Sequence, residues 1–148
     1  MSEALKLIAQ TPVDLTIISS LMQDTTVLVG DMAWLPSENR FALVGNRYRW
    51  EKKGWFRRPR GERVRSALHF SGVNSAQLSA IDLTQKDMVL DLLNIEAHEE
   101  SQEAGGGVSI LLNFAGGASI RLSAEAVDAV VTDLTGAWEA KVRPDHKD

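Results

Sequence analysis

The sequence predicts an α+β fold: a bent or barrel-like antiparallel sheet of about six to eight strands, covered by an N-terminal helix and a short C-terminal helix. Hydrophobic residues repeat with a helical period near each end of the chain, whereas alternation with a period of two dominates between them. Short turn sequences join the alternating runs, and the middle of the chain has no parallel β-α-β pattern. A chain of 148 residues can form one core without disulfides.

The first helix is predicted to begin at Thr11, after a short apolar segment at residues 5–9. Thr11 is a typical N-cap, Pro12 suits the first helical position, and Asp14 complements the positive end of the helix dipole. The apolar stripe that follows consists of Leu15, Ile18 and Met22, with Ile17 and Leu21 beside them. Such a stripe predicts a helix that packs on the sheet.

Five strands are predicted before residue 100. Residues 25–35 and 40–50 form a hairpin around the turn sequence at 36–39. The third strand, at 64–70, places Val64, Ser66, Leu68 and Phe70 on one face and Arg63, Arg65, Ala67 and His69 on the other. Residues 77–83 and 88–97 are predicted to form two more.

A second hairpin follows at residues 108–122, where two alternating runs flank Gly116 and Gly117 and predict a primed turn. Its core-facing residues are predicted to be Val108, Ile110, Leu112, Phe114, Ile120 and Leu122. The C-terminal helix is predicted from Ser123 as a cap, Gly136 as a terminator, and a stripe of Val127, Val130, Val131 and Leu134. A strand over residues 129–134 is the competing interpretation. A single globular domain is expected at 3–140, followed by a charged flexible tail at 141–148.

Charge is distributed unevenly along the chain, whose net charge is −4. Residues 47–65 contain nine basic and two acidic residues, a net charge of +7, whereas the other 129 residues carry seven basic and eighteen acidic residues, a net charge of −11. Such asymmetry indicates an anionic partner, or pairing with the protein's own acidic surface. The basic residues are Arg47, Arg49, Lys52, Lys53, Arg57, Arg58, Arg60, Arg63 and Arg65.

The basic segment also holds the candidate binding site. If residues 40–50 pair with 63–70, and if Tyr48 and Trp50 face the core, then Arg47 and Arg49 share the outer face with Arg63 and Arg65. The connection at 51–62 is expected to be mobile, and it adds Arg57, Arg58 and Arg60 as charges and Trp55 and Phe56 as apolar or stacking contacts. The two other tryptophans, Trp34 and Trp138, are expected to be core or capping residues.

No catalytic residue, metal ligand set or cofactor is predicted. The absence of cysteine excludes disulfides, thiolate metal sites and a cysteine nucleophile. His98 with Glu99, Glu100 and Glu103 fits an ordinary acidic loop better than a metal site, because metal sites normally combine ligands from several elements. The glycines at 105–107 lead into a strand pattern, which favours a hairpin connection over a phosphate-binding loop. A cytoplasmic location without a membrane partner is expected, since no signal peptide or spanning segment is apparent.

Four stretches resemble a family of small bacterial proteins known only as a domain of unknown function. They are L-V-G-D-M-A-W-L-P at 28–36, R-F-A-L-V-G-N-R-Y-R-W-E at 40–51, F-A-G-G-A-S-I-R-L at 114–122 and D-L-T-G-A-W at 133–138. The resemblance extends over nearly the whole chain and implies no active site, substrate or cofactor.

The residues therefore favour a non-catalytic binding or interaction module whose basic, aromatic-bearing loop docks an anionic macromolecule or an acidic protein surface. Nucleic-acid binding is a more specific alternative, because aromatic residues are interspersed with the basic ones. A small enzyme acting on an anionic metabolite is a weaker alternative. The sequence leaves the oligomeric state open.

Overall fold

The structure is a computed structural model that describes residues 5–48 and 63–134. One helix, α1 (Pro12–Met22), lies between the first two strands. The strands are β1 (Lys6–Ala9), β2 (Thr26–Leu35), β3 (Arg40–Tyr48), β4 (Arg63–Ser71), β5 (Val73–Ser79), β6 (Val89–Glu99), β7 (Val108–Phe114), β8 (Ser119–Ala124) and β9 (Ala129–Asp133). In this part of the chain, no helix is long and apolar enough to cross a membrane.

All nine strands belong to one antiparallel sheet in the order β1-β9-β4-β3-β2-β6-β7-β8-β5. The α+β class and the antiparallel sheet are confirmed. The strand count exceeds the expected six to eight, and the order is open, with β1 and β5 at its two ends, so a closed barrel is not what forms. The sheet is nevertheless strongly curved. Its end strand β5 begins beside β3, where the Val73 N–H donates to the Asn39 carbonyl at 2.9 Å.

The predicted C-terminal helix is wrong, and the competing strand interpretation is right. Residues 129–133 form β9, which pairs with β1 on one side and β4 on the other. Val130 and Val131 are β-branched and favour a strand. Two partner strands satisfy the backbone of β9 on both sides, and this tertiary pairing overrides the helical spacing of the valines.

The N-terminal helix is confirmed in detail. The Thr11 hydroxyl accepts a hydrogen bond from the Asp14 N–H at 3.0 Å, and Pro12 occupies the first turn. The helix is anchored by the predicted stripe, because Leu15, Ile18 and Met22 are all buried. It packs mainly against β6.

Two strands differ from the predicted pattern. A bulge between Val27 and Met32 shifts the register of β2, so that Met32 and Trp34 pack against the core while Ala33 and Leu35 are exposed. The strand predicted at 77–83 instead occupies Val73–Ser79, since Gly72 separates it from β4 and Ala80 ends it, each at positive φ.

The hairpin at residues 108–122 is confirmed, and all six predicted inner residues are buried. Its turn has three residues instead of the two of a primed turn. The Phe114 N–H donates to the Ala118 carbonyl at 2.9 Å across residues 115–117, and Gly116 takes a left-handed φ of 84°. The glycine triplet at 105–107 lies in the connection between β6 and β7, as predicted.

The chain crosses between the two halves of the sheet twice. Strands β2, β3 and β4 form one meander, and β6, β7 and β8 form another. The strand that follows the first meander, β5, pairs with β8 of the second. The strand that follows the second meander, β9, pairs with β4 of the first. The strand that follows each meander in sequence therefore extends the sheet at the opposite meander.

Candidate functional site

The structure places three of the nine predicted site residues, Arg47, Arg63 and Arg65, at the ends of β3 and β4 that lead into the basic connection. The other six, Arg49, Trp55, Phe56, Arg57, Arg58 and Arg60, lie outside the described residues, as do the expected mobile connection, Trp138 and the expected tail at 141–148.

Arg47 does not lie on the outer face, so this part of the prediction is wrong. In β3, Phe41, Leu43 and Arg47 share the buried face, whereas Tyr48 lies on the opposite one. The register pairs Arg47 with Val64 and Tyr48 with Arg63. Arg47 therefore does not form a like-charge cluster with Arg63 and Arg65.

Instead, Arg47 forms a buried ion pair with Asp133 of β9. The Arg47 Nη2 lies 2.8 Å from Oδ2 and the Nε 3.0 Å from Oδ1, and each side chain is only 6% exposed. A guanidinium that approaches both oxygens of one carboxylate is a strong, oriented pair. The positive charge of Arg47 is therefore neutralised within the protein by Asp133.

Asp133 is the centre of this buried network. Besides Arg47, it accepts hydrogen bonds from the Ser66 hydroxyl at 2.6 Å and from the Leu5 backbone N–H at 3.2 Å. Burial raises the pKa of Asp133, but the hydrogen bonds from Arg47 and Ser66, the Arg47 charge and the Leu5 N–H outweigh it, and the pKa lies below its ordinary value. The ionised carboxylate joins β3, β4, β9 and the N-terminal segment.

Arg63 lies on the outer face, as predicted, directly opposite Tyr48. Its guanidinium carbon is 3.9 Å from the centre of the Tyr48 ring. The Nη1 donates to the carbonyls of Asn46 at 2.8 Å and Asp24 at 3.2 Å, so the side chain reaches across β3 toward the start of β2. Among the described residues, Arg63 has no carboxylate within salt-bridge distance.

Arg65, also on the outer face, reaches across β3 in the same direction. Its Nη2 lies 3.3 Å from the Asp31 carboxylate in the bulge of β2, and both side chains are about one-third exposed. An ion pair at this exposure contributes little to stability.

Asp91 of β6 lies near Arg63 but is not hydrogen-bonded to it. Burial and the nearby Asp24 raise the pKa of Asp91, and the Arg63 charge opposes them. In the described part of the chain, the buried Oδ1 of Asp91 has no hydrogen-bond partner. This carboxylate therefore bears a desolvation cost without full compensation.

His69 lies on the same outer face as Arg63 and Arg65, as predicted. Burial and the nearby Arg40 lower the pKa of His69, and Asp128 opposes this effect. The imidazole is therefore predominantly neutral at pH 7.

The outer face of the second half of the sheet differs in character, because its polar groups bond mainly to each other. Asn113 donates to Asn94 at 2.8 Å and to Glu96 at 3.2 Å, and Arg121 donates to Ser109 at 3.1 Å. His98 contacts the Glu96 carboxylate at 3.0 Å. Within residues 5–48 and 63–134, no group of three or more His, Asp or Glu residues is placed to hold a metal.

Sequence reasoning missed Asp31, Asp91 and Asp133, and two of them carried a usable signal. In the strand interpretation of residues 129–134, Asp133 falls on the same face as the buried Ala129 and Val131 and so is placed in the core. A buried aspartate requires a cationic partner. Asp91 alternates with the buried Leu90 and Leu92 of β6, which places it outward.

Residues 5–146 match the model of a family described as "Protein of unknown function (DUF2948)". The chain belongs to this family. The resemblance noted from the sequence is thereby confirmed, and the DUF2948 match covers every described element. No curated protein and no solved structure matches the chain.

Proposed function

We propose that this DUF2948 protein is a non-catalytic binding module that docks an anionic partner through residues 49–62, assisted by Arg63 and Arg65 at the adjoining end of β4. The proposal rests on the location of the positive charge that the ion pairs of the described residues leave unneutralised. Arg47 is neutralised by buried Asp133, and Arg65 is paired with Asp31, which is about one-third exposed. Neither pair involves the charges of residues 49–62.

The remaining charge is concentrated in fourteen residues. Residues 49–62 contain six basic and two acidic residues, a net charge of +4, while the other 134 residues carry ten basic and eighteen acidic residues, a net charge of −8. Residues 49–62 are therefore a locally basic segment of an otherwise acidic protein. A local excess of one sign raises the concentration and the association rate of oppositely charged partners.

The end of the sheet supports this role. Arg63 is held by two backbone carbonyls and the Tyr48 ring instead of by a carboxylate, so its charge is not cancelled by a direct ion pair with a described residue. The Arg65–Asp31 pair is open to solvent on one side. An arriving phosphate or carboxylate is expected to pair with these two guanidinium groups, whose residues lie at the end of β4 that follows residues 49–62.

Nucleic acid is favoured as a more specific partner by the aromatic residues. Trp55 and Phe56 lie among the six basic residues. Single-stranded nucleic acids bind to such combinations because cations contact the backbone while aromatic rings stack on bases. An acidic protein surface uses the same charges without requiring stacking.

The test is fluorescence anisotropy with a labelled oligothymidylate and with a labelled polyglutamate peptide, each titrated at several salt concentrations. The test variant changes Arg57, Arg58 and Arg60 to Ser. The control changes the exposed Lys6, Lys86 and Arg121 to Ser, which removes the same charge elsewhere. Wild type is expected to bind with strong salt dependence. For the oligonucleotide, the slope of log K against log salt should fall by ~0.7 for each phosphate contact that the test variant loses.

Two results contradict the proposal. One is the absence of salt-dependent binding of either probe to wild type. The other is an equal loss of binding in the test and control variants, which would reduce the effect to net charge alone. Binding of oligothymidylate but not polyglutamate selects the nucleic-acid interpretation, and stronger binding of polyglutamate selects an acidic protein surface.

A further inference from the structure

The two ends of the sheet are protected very differently. β1 has only four residues and carries Lys6, and short charged edge strands resist pairing with other chains. β5 is longer, and within the described residues it pairs on one side only, with β8. From Asn74 to its end it reads N-S-A-Q-L-S, without a charge, a proline or a glycine. The open edge of β5 thus lacks the sequence features that usually block strand addition.

The hydrogen bonds identify which groups of β5 face the open edge. In an antiparallel ladder, hydrogen-bonded pairs of residues alternate with pairs that are not hydrogen-bonded. The bond from the Phe114 N–H to the Ala118 carbonyl shows that Phe114 and Ala118 are a hydrogen-bonded pair of the β7–β8 ladder, so every second residue of β8 from Ala118 bonds to β7. Ile120 and Leu122 therefore bond to β7, and Ser119, Arg121 and Ser123 bond to β5. Their partners on β5 are Ser79, Gln77 and Ser75.

A second observation agrees with this phase. The Glu125 N–H, two residues beyond Ser123, donates toward the β5 side, to the Gly72 carbonyl at 3.3 Å. The backbone N–H and carbonyl groups of Ala76 and Leu78 consequently point away from β8, toward the open edge. The start of β5 is closed, because the Val73 N–H and carbonyl both bond to Asn39.

We propose that β5 is a dimerisation strand whose open edge pairs antiparallel with β5 of a second copy of this chain, with Gln77 on the two-fold axis. In this register Ala76 lies opposite Leu78 of the second copy, and Leu78 lies opposite its Ala76. Both residues have their backbone groups directed toward the edge, so the two pairs form four backbone hydrogen bonds. The proposal does not depend on the proposed anion-binding function.

The side chains favour a second copy as the occupant, because the register is self-complementary. On the outer face, Gln77 meets Gln77 of the second copy, and Ser75 meets its Ser79. On the other face, the half-buried Ala76 and Leu78 meet each other and extend the apolar contacts of the core. No like charges oppose each other across the strands, and the two-fold arrangement closes after two subunits.

The first test is the mass in solution by light scattering over a concentration series. Wild type is expected to approach twice the monomer mass. Ala76→Pro removes an edge-directed N–H without touching the β8 ladder and should give a monomer that remains folded by circular dichroism. Gln77→Glu places two carboxylates together at the axis and should weaken the dimer, less so at high salt. Gln85→Glu, at an exposed position outside β5, should leave the dimer intact.

A crosslink tests the register. The chain contains no cysteine, so Gln77→Cys introduces the sole thiol of each subunit. At a non-hydrogen-bonded antiparallel pair the Cα atoms are about 4.5 Å apart, which permits a disulfide. Gln77→Cys should form a covalent dimer on oxidation, and Gln85→Cys should not. A wild type that stays monomeric at every concentration overturns the proposal. A dimer that resists both Ala76→Pro and Gln77→Glu also overturns it.

Discussion

The Arg47 guanidinium and the Asp133 carboxylate are 86 residues apart in sequence and 2.8 Å apart in space, in the interior of the sheet. We expect the substitution Arg47→Met to destabilise the protein by about 3–5 kcal/mol, since it leaves a buried carboxylate without its cation. Urea denaturation measures this loss. The double variant Arg47→Met with Asp133→Leu should recover much of it, because no uncompensated charge remains.

Arg65→Met provides the matched control for this prediction, since Arg65 also pairs with an aspartate but is about one-third exposed. Its cost should be below about 1 kcal/mol. Equal losses for Arg47→Met and Arg65→Met would mean that burial does not set the strength of the Asp133 pair.

Asp133 should also govern stability in acid. Its pKa is lower in the folded protein than in the unfolded chain, where an aspartate titrates near pH ~3.9. The stabilisation by ionised Asp133 is therefore complete above that value and is lost as the pH falls through the folded-state pKa. Urea midpoints measured between about pH 2 and 6 should fall steeply at the acid end for wild type. Asp133→Asn should be less stable at neutral pH and show a shallower fall.

Asp91 should show the opposite pH dependence. Because its pKa is raised in the folded protein, Asp91 costs no stability below the unfolded-state pKa. The cost develops as the pH rises from that value and is complete above the folded-state pKa. We expect Asp91→Asn to raise the melting temperature at pH 7, by no more than about 4 °C, with little gain at pH ~3. Asp87→Asn, at an exposed position nearby in sequence, is the control. A lower melting temperature for Asp91→Asn at pH 7 would contradict the prediction.

The hairpin of β7 and β8 allows its two faces to be compared directly. Phe114→Ala should cost ~3–5 kcal/mol, because the ring is 2% exposed, and Ser119→Ala should be nearly silent. The pattern alone predicts the same silence for Ser109→Ala. However, Ser109 is 6% exposed and accepts a hydrogen bond from Arg121, so we expect a loss of about 1 kcal/mol. Chemical denaturation of the three variants ranks these effects, and equal values would show that the register is wrong.

How far the sequence predicted the fold depended on how different the two faces of each strand are. In β7 and β8 the inner positions are all apolar and the outer ones mostly polar, so the register could be read directly. In β3 both faces carry apolar residues, Phe41 and Leu43 on one and Ala42 and Val44 on the other. The face of Arg47 then depended on the assumption that Tyr48 points inward, which is wrong.

The candidate site was predictable only where local alternation determined it. The outward direction of Arg63, Arg65 and His69 follows from β4 alone. Their partners do not, because Asp31 is placed by a bulge in β2 and Asp133 by a strand that the helical spacing of the valines obscured. Contacts between distant segments depend on tertiary pairing, which periodicity does not encode.

The two crossings between the halves of the sheet constrain the order in which the chain can fold. The first meander lacks its neighbour β9 until almost all of the described chain has emerged from the ribosome, so β4 has an open edge throughout most of synthesis. β1 has no strand to pair with over the same period, because its partner, β9, is the last strand of the described residues to be made. Closure therefore depends on pairing between distant segments, which is characteristic of slow folding. A nascent chain released before residue 129 would expose both edges to aggregation.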